Sequence, residues 1–266
     1  MDFQHFTTSD QVQLAFSIKG SGQPIVFLSG YGGAGEDFFP QVNSVVKAGY
    51  KAIVFDRRSH GYSENPVHGH SMQRHGQDLA ELLDYLRLIK PILVGQSMGA
   101  STIFSYLNQY GEDNCRGAFI LDQTPKIINS ADWEYGMYNS ENIDFDHYLD
   151  GELPNPFYKL PKGLVLPRLL VQMKRRPKFD FATTKPLFLD HMNSDWRELL
   201  QRLSMPIHFL AGEHSPMWPA AHAEASAALC VNGTFSIIEN AGHAVNLEKA
   251  KETNRELIDF IRGVNY

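Results

Sequence analysis

Short apolar runs alternate along this chain with longer segments whose apolar residues recur at helical spacing. Residues 12–18 alternate apolar and polar positions, the pattern of a half-buried strand. Ile25-Val26-Phe27-Leu28, Ala52-Ile53-Val54-Phe55, Pro91-Ile92-Leu93-Val94, Gly117-Ala118-Phe119-Ile120-Leu121, residues 206–211 and residues 234–238 are apolar enough to predict buried strands. Between them, residues 38–47, 72–88, 100–107, 220–229 and 247–261 predict helices. In the second of these, Leu79, Leu82, Leu83 and Leu86 fall on one face. Apolar strands separated by helices predict an α/β fold with a largely parallel sheet covered on both faces. Ligands of such sheets bind beyond the carboxyl ends of the strands. The Gly-rich and acidic clusters at Ser29-Gly30-Tyr31-Gly32-Gly33, Asp56, Asp122 and Gly212-Glu213 all stand at such ends.

The alternation breaks between Asp122 and Pro206. That stretch is rich in aromatic residues and prolines and too long for a plain loop. It predicts a mostly helical cap, residues 124–199, inserted after the sixth strand into a core of residues 1–123 and 200–266. Its aromatic residues, Trp133, Tyr135 and Phe157 among them, are candidates for a substrate pocket.

Composition narrows the function classes. A net charge of −6 over 266 residues argues against a nucleic-acid surface, which needs a basic excess. The two cysteines, Cys115 and Cys230, have no metal or redox spacing and suit a reducing compartment. No window is apolar enough to span a membrane, and the first residues lack a basic-then-apolar leader. The expected setting is the cytoplasm. The oligomeric state is not legible.

The chemistry concentrates at Gly95-Gln96-Ser97-Met98-Gly99, a G-x-S-x-G pentapeptide between a predicted strand and a predicted helix. A serine on so abrupt a turn is held in a strained backbone with its hydroxyl lifted above the sheet edge, and the flanking glycines let neighbouring segments approach. The bland alternative is a helix N-cap serine. A serine hydroxyl needs a base to take its proton, and an imidazole suits that near neutral pH. His243, in the loop between the final strand and the final helix, is the candidate. Asp122, 25 residues after Ser97 and at the end of the next strand, is the leading candidate for the acid that orients that imidazole, with Glu213 as runner-up. A turn-forming aspartate is its ordinary alternative. Backbone amides of Met98 and Tyr31 are candidates for an oxyanion hole. His60 is read as structural. His68, His70 and His75 are close in sequence but lack the partners of a metal site, so no metal and no cofactor is expected.

Taken together, these motifs resemble the α/β-hydrolase superfamily over nearly the whole chain. They are Leu28-Ser29-Gly30-Tyr31-Gly32-Gly33, where a histidine is usual at 29; Asp56-Arg57-Arg58-Ser59-His60-Gly61-Tyr62-Ser63, where glycine is usual at 59; the serine elbow; and Ala241-Gly242-His243. The acid in that family usually follows the seventh strand, at what is Ser215 here, and in some members follows the sixth, where Asp122 stands. A serine nucleophile sets the chain apart from the dehalogenase and epoxide-hydrolase branches. The resemblance implies a cofactor-free serine hydrolase acting on a small carboxylic ester, lactone or thioester through an acyl-enzyme. Carbon–carbon bond hydrolysis and haloperoxidase-type perhydrolysis use the same triad. From another class, a ligand-binding or signalling protein on a hydrolase fold is an alternative, supported only by the missing aspartate at 215.

Overall fold

The computed structural model describes residues 1–151 and 153–264; residues 152, 265 and 266, within the expected cap and core, lie outside it. Among the described residues, eight strands form one sheet: β1 (Gln4–Thr7), β2 (Gln13–Lys19), β3 (Pro24–Leu28), β4 (Lys51–Phe55), β5 (Ile92–Gln96), β6 (Gly117–Leu121), β7 (Ile207–Gly212) and β8 (Gly233–Ile238). Their order is β1-β2-β4-β3-β5-β6-β7-β8. β1 and β2 pair antiparallel, as do β2 and β4, and every later pair is parallel. The order reverses at β3, so β3 and β5 lie side by side at the sheet's centre, where crevices open beyond strand ends.

The helices are α1 (Phe39–Lys47), α2 (Met72–Tyr85), α3 (Met98–Tyr110), α4 (Val165–Arg175), α5 (Lys185–Met192), α6 (Arg197–Arg202), α7 (His222–Leu229), α8 (Val245–Glu248) and α9 (Ala250–Gly263). Helices α2, α3, α6 and α7 cover one sheet face and α1, α8 and α9 the other. The period-two alternation explains the division. Val26, Leu28, Ile53, Phe55 and Leu93 point to the first face, while Ile25, Phe27, Ala52, Val54, Ile92 and Val94 point to the second. Among the described residues, no helix is long and apolar enough to cross a membrane.

Four expectations need correction. β1 was not anticipated, because only Phe6 of its four residues is buried and no alternation shows. α2 stops at Tyr85 rather than residue 88. Arg87 takes φ +50°, and Leu88 N donates to Leu83 O at 2.9 Å, a left-handed stop without the glycine that would announce it. The closing helix is two helices, because Lys249 at φ −124° and ψ 49° breaks the spiral. The insertion is helical only in its second half. Among the described residues of 124–164, the helical structure is limited to 3₁₀ turns at Ser140–Asn142 and Tyr148–Asp150. Pro154, Pro156 and Pro161 remove backbone donors there and push the preceding residues out of the helical region.

Polar contacts tie this segment over the carboxyl ends of the strands. Arg176 Nη1 donates to both oxygens of Asp37 at 3.0 and 2.9 Å. Tyr31 Oη and Thr184 Oγ1 lie 2.9 Å apart. Asp190 Oδ2 accepts from Met72 N at 2.6 Å, at the N-terminus of α2, where the helix dipole favours an anion.

Candidate active site

Ser97 links β5 to α3 with φ +53° and ψ −129°, a region costing a non-glycine residue about 1–3 kcal/mol. Both flanking glycines are there because backbone passes too close for a side chain. A Cβ on Gly99 would lie 2.2 Å from Leu28 O, and one on Gly95 would lie 2.5 Å from Ala100 N. The turn is anchored by Ser97 N donating to Leu121 O at 3.0 Å and Ala100 N donating to Ser97 O at 2.8 Å. The Met98 amide opens α3, so the spiral offers it no acceptor.

Beside Ser97 runs the loop after β3. Gly33 N donates to Gly30 O at 3.1 Å across a tight turn whose second corner, Gly32, has φ +71°. The turn abuts the serine: a Cβ on Gly30 would lie 3.0 Å from Ser97 Cβ. The buried Arg57 holds this loop from beneath. Its Nε donates to Ser29 O at 3.1 Å and its Nη2 to Gly30 O at 3.0 Å. The Gly30 carbonyl and the Tyr31 N–H belong to one planar peptide and point opposite ways. Pinning that carbonyl to Arg57 and Gly33 therefore turns the Tyr31 amide away from them.

Arg57 also donates to His60 Nε2 at 2.9 Å and lies 3.1 Å from His75 Nδ1. His60 Nδ1 donates to Arg58 O at 2.8 Å, which leaves Nε2 as the acceptor. Burial, reinforced by the Arg57 charge, pushes both imidazoles well below their ordinary values, so both are neutral acceptors in the fold. Burial likewise brings the Arg57 guanidinium down to about 9. His70 donates to Pro66 O at 2.8 Å and His68 faces Asp10 at 3.2 Å, so His68, His70 and His75 go to three different partners.

Asp122 follows β6 at φ +44° and is fully buried. Its Oδ2 lies 2.6 Å from His243 Nδ1 and accepts from Ser215 Oγ at 2.7 Å, while Oδ1 accepts from Gly212 N at 2.9 Å. His222 Nε2 stands 3.7 Å from Oδ1. Burial works to raise this carboxyl, but the hydrogen bond with His243 and the nearness of both imidazoles outweigh it and hold it well below the usual carboxylate range. An ionised carboxylate only accepts, so His243 Nδ1 donates to it, which leaves Nε2 as the other nitrogen of the ring.

Glu213 goes elsewhere. Its Oε2 accepts from Asn240 N at 2.8 Å and lies 3.4 Å from His214 Nε2, with the side chain two-fifths exposed.

A cavity of about 340 Å³ gathers Tyr31, Ser97, Met98 and His243 in one lining. Phe157 lines it too. Trp133 and Tyr135 do not: they border a separate surface recess with Asp195 and Arg197. A turn from Ser130 to Trp133 folds the indole back so that Nε1 donates to Thr124 Oγ1 and Lys126 O at 3.2 and 3.1 Å. The cavity wall is completed by Tyr148 and Phe188, aromatic residues of the same insertion, and by His191, Met192, Met217 and Trp218, which sequence reasoning passed over. Residues 188, 191 and 192 sit at helical spacing on α5, a face that was readable. The Trp218 ring stands edge-on to His243 with centroids 5.3 Å apart.

Comparison with known proteins finds relatives for the chain and its fold. Residues 23–250 match the family model of the alpha/beta hydrolase fold. The chain is 26% identical to the non-heme chloroperoxidase CPO-A1 of Kitasatospora aureofaciens, over 96% of this chain and 98% of that one. It is 24% identical to the bifunctional esterase/perhydrolase DCH of Acinetobacter calcoaceticus, over 97% and 99%. Among solved structures, it is similar to the esterase EaEST of Exiguobacterium antarcticum, with a TM-score of 0.84 at 21% identity, covering 97% of this chain and 98% of that one.

Proposed function

Because this chain belongs to the alpha/beta hydrolase fold family, we propose that it is a cofactor-free serine hydrolase that cleaves small carboxylic esters through an acyl-enzyme. The observation that carries the reading is the 2.6 Å contact of Asp122 Oδ2 with His243 Nδ1 at the edge of a cavity that also presents Ser97. The names of the relatives, an esterase/perhydrolase among them, support the same class.

In this mechanism Asp122 holds His243 in the tautomer whose Nε2 is a base. His243 takes the Ser97 proton as Oγ attacks the ester carbonyl. The Met98 and Tyr31 amides bind the developing oxyanion, each such donor contributing about 3 kcal/mol to the transition state. His243 then gives the proton to the departing alcohol. A water activated by the same imidazole attacks the acyl-serine and releases the acid. Residues 124–199 act as a cap over the core formed by residues 1–123 and 200–266, and the apolar cavity wall receives the substrate's carbon skeleton. The protein works in the cytoplasm on a small molecule, without a nucleic-acid partner.

A second reading is favoured by the chloroperoxidase and perhydrolase relatives. Hydrogen peroxide replaces water at the second step: its oxygen attacks the acyl carbon, the bond to Ser97 Oγ breaks, and a peracid leaves with the serine reprotonated.

The test is hydrolysis of p-nitrophenyl acetate and butyrate by the purified chain and by Ser97→Ala. Turnover lost in the variant supports the proposal. Failure of the unaltered chain to cleave either ester, or turnover that survives in the variant, contradicts it. Peracid formed when peroxide is added distinguishes the second reading.

A further inference from the structure

His191 is a polar side chain of the cavity that the proposed reaction does not use. It lies on α5, one turn from Phe188 and next to Met192, and shares the lining with Met217 and Trp218. The residue is 3% exposed, and its Nδ1 is buried with no hydrogen-bond partner among the described residues. Three other groups of the same lining, Ser29 Oγ, Trp218 Nε1 and Tyr148 Oη, are likewise buried with no hydrogen-bond partner among the described residues. The cavity is lined by residues with unpaired polar atoms just behind its surface, and a ligand oxygen that met the His191 imidazole would relieve the cost of an unpaired buried group.

The ligand's charge follows from the state of the ring. Burial, with smaller contributions from Arg57 and His243, pushes His191 down to about 3, so it is neutral at working pH. A neutral imidazole offers one N–H donor and one lone-pair acceptor and no charge to balance an anion. The guanidinium of Arg176, also in the lining, is already taken by both oxygens of Asp37. The matching group is therefore an uncharged hydrogen-bonding one, of which a hydroxyl or keto oxygen is the simplest on an ester.

We propose that His191 is a specificity-determining residue, selecting esters that carry a hydroxyl or keto oxygen over their all-carbon isosteres. This rests on the ester-hydrolase reading and names its substrate class. A merely structural histidine would affect stability without changing the preference between isosteres.

The experiment measures binding by calorimetry, so that it does not depend on turnover. Ser97→Ala and Ser97→Ala/His191→Leu are titrated with two isosteric pairs. One pair is ethyl 3-hydroxybutyrate against ethyl 3-methylbutyrate. The other is 2-hydroxypropyl butyrate against isobutyl butyrate, which moves the oxygen to the alcohol side. The expected result is that Ser97→Ala favours the oxygenated member of at least one pair by about fivefold. The preference disappears in the Leu variant and is kept in Ser97→Ala/His191→Gln. Ser97→Ala/His191→Phe serves if the Leu protein does not fold. Ratios that are equal in Ser97→Ala for both pairs, or unchanged by removal of the imidazole, overturn the proposal. Absence of turnover of these four esters and of p-nitrophenyl acetate and butyrate by the chain with Ser97 intact overturns the hydrolase reading instead, and the binding ratios still decide the role of His191.

Discussion

Ser215 Oγ donates to Asp122 Oδ2 across 2.7 Å, and that oxygen is the one 2.6 Å from His243 Nδ1. Position 215, after β7, is thus within reach of the same imidazole edge as position 122, after β6. Asp122→Asn is expected to lower kcat by about 10⁴, the scale seen when a triad acid is removed. Adding Ser215→Asp to that variant should recover at least about tenfold, because the new carboxylate enters beside Nδ1. Glu213→Gln should change kcat by less than about threefold, since that carboxylate serves Asn240 and His214. Steady-state ester hydrolysis by the four proteins checks the ranking.

Ser59 occupies φ +64° in the Asp56–Ser63 loop, and its hydroxyl is buried with no partner among the described residues. A left-handed conformation costs a non-glycine residue about 1–2 kcal/mol, of which glycine's freedom in the unfolded chain returns part. Ser59→Gly should therefore stabilise the fold by about 0.5–1 kcal/mol. The urea midpoint should rise with an unchanged slope, and a lower midpoint would refute the strain argument.

Buried neutral histidines predict an acid-sensitive fold. Burial lowers His60 and His75 well below their ordinary value, His191 to about 3 and His208 to about 4. Near pH 6.5 and below, the unfolded chain binds protons that the folded chain refuses. Their combined effect is loss of stability as pH falls from about 6.5 toward their folded values, by up to about 1.4 kcal/mol per pH unit for each group. Asp122, depressed in the fold, loses its contribution only further down, as pH falls below about 3.9. His208 bridges Thr234 Oγ1 and Ser236 Oγ at 2.9 Å each, so His208→Gln keeps polar reach without the titration. Urea denaturation at pH 7.5 and 5 should show its pH slope reduced by about one proton.

The fold was readable where burial is periodic or continuous. β2 through β8 carried that signal, whereas β1, with one buried residue in four, did not. The elbow was readable because the glycines at 95 and 99 answer to backbone that passes within 2.2–2.5 Å of where a Cβ would stand. That Asp122 shares a sheet edge with Ser97 followed from β6 neighbouring β5, whereas its contact with His243 depends on the loop after β8 reaching back across β7. The pocket wall was the least legible. Aromatic content alone cannot tell Phe157, which faces the cavity, from Trp133, whose indole is turned back onto Lys126 by a local hydrogen bond. His191 was hidden for a related reason: its surroundings come from α5 and from the loop holding Met217 and Trp218, segments brought together only by the tertiary fold.

The most direct test of an activated serine is covalent. A fluorophosphonate incubated with the chain near pH 7.5 should add one adduct, mapped by mass spectrometry to the peptide containing Ser97, and labelling should fall sharply in His243→Ala. Adduct formation at another residue, or none while the protein is folded, would contradict the account.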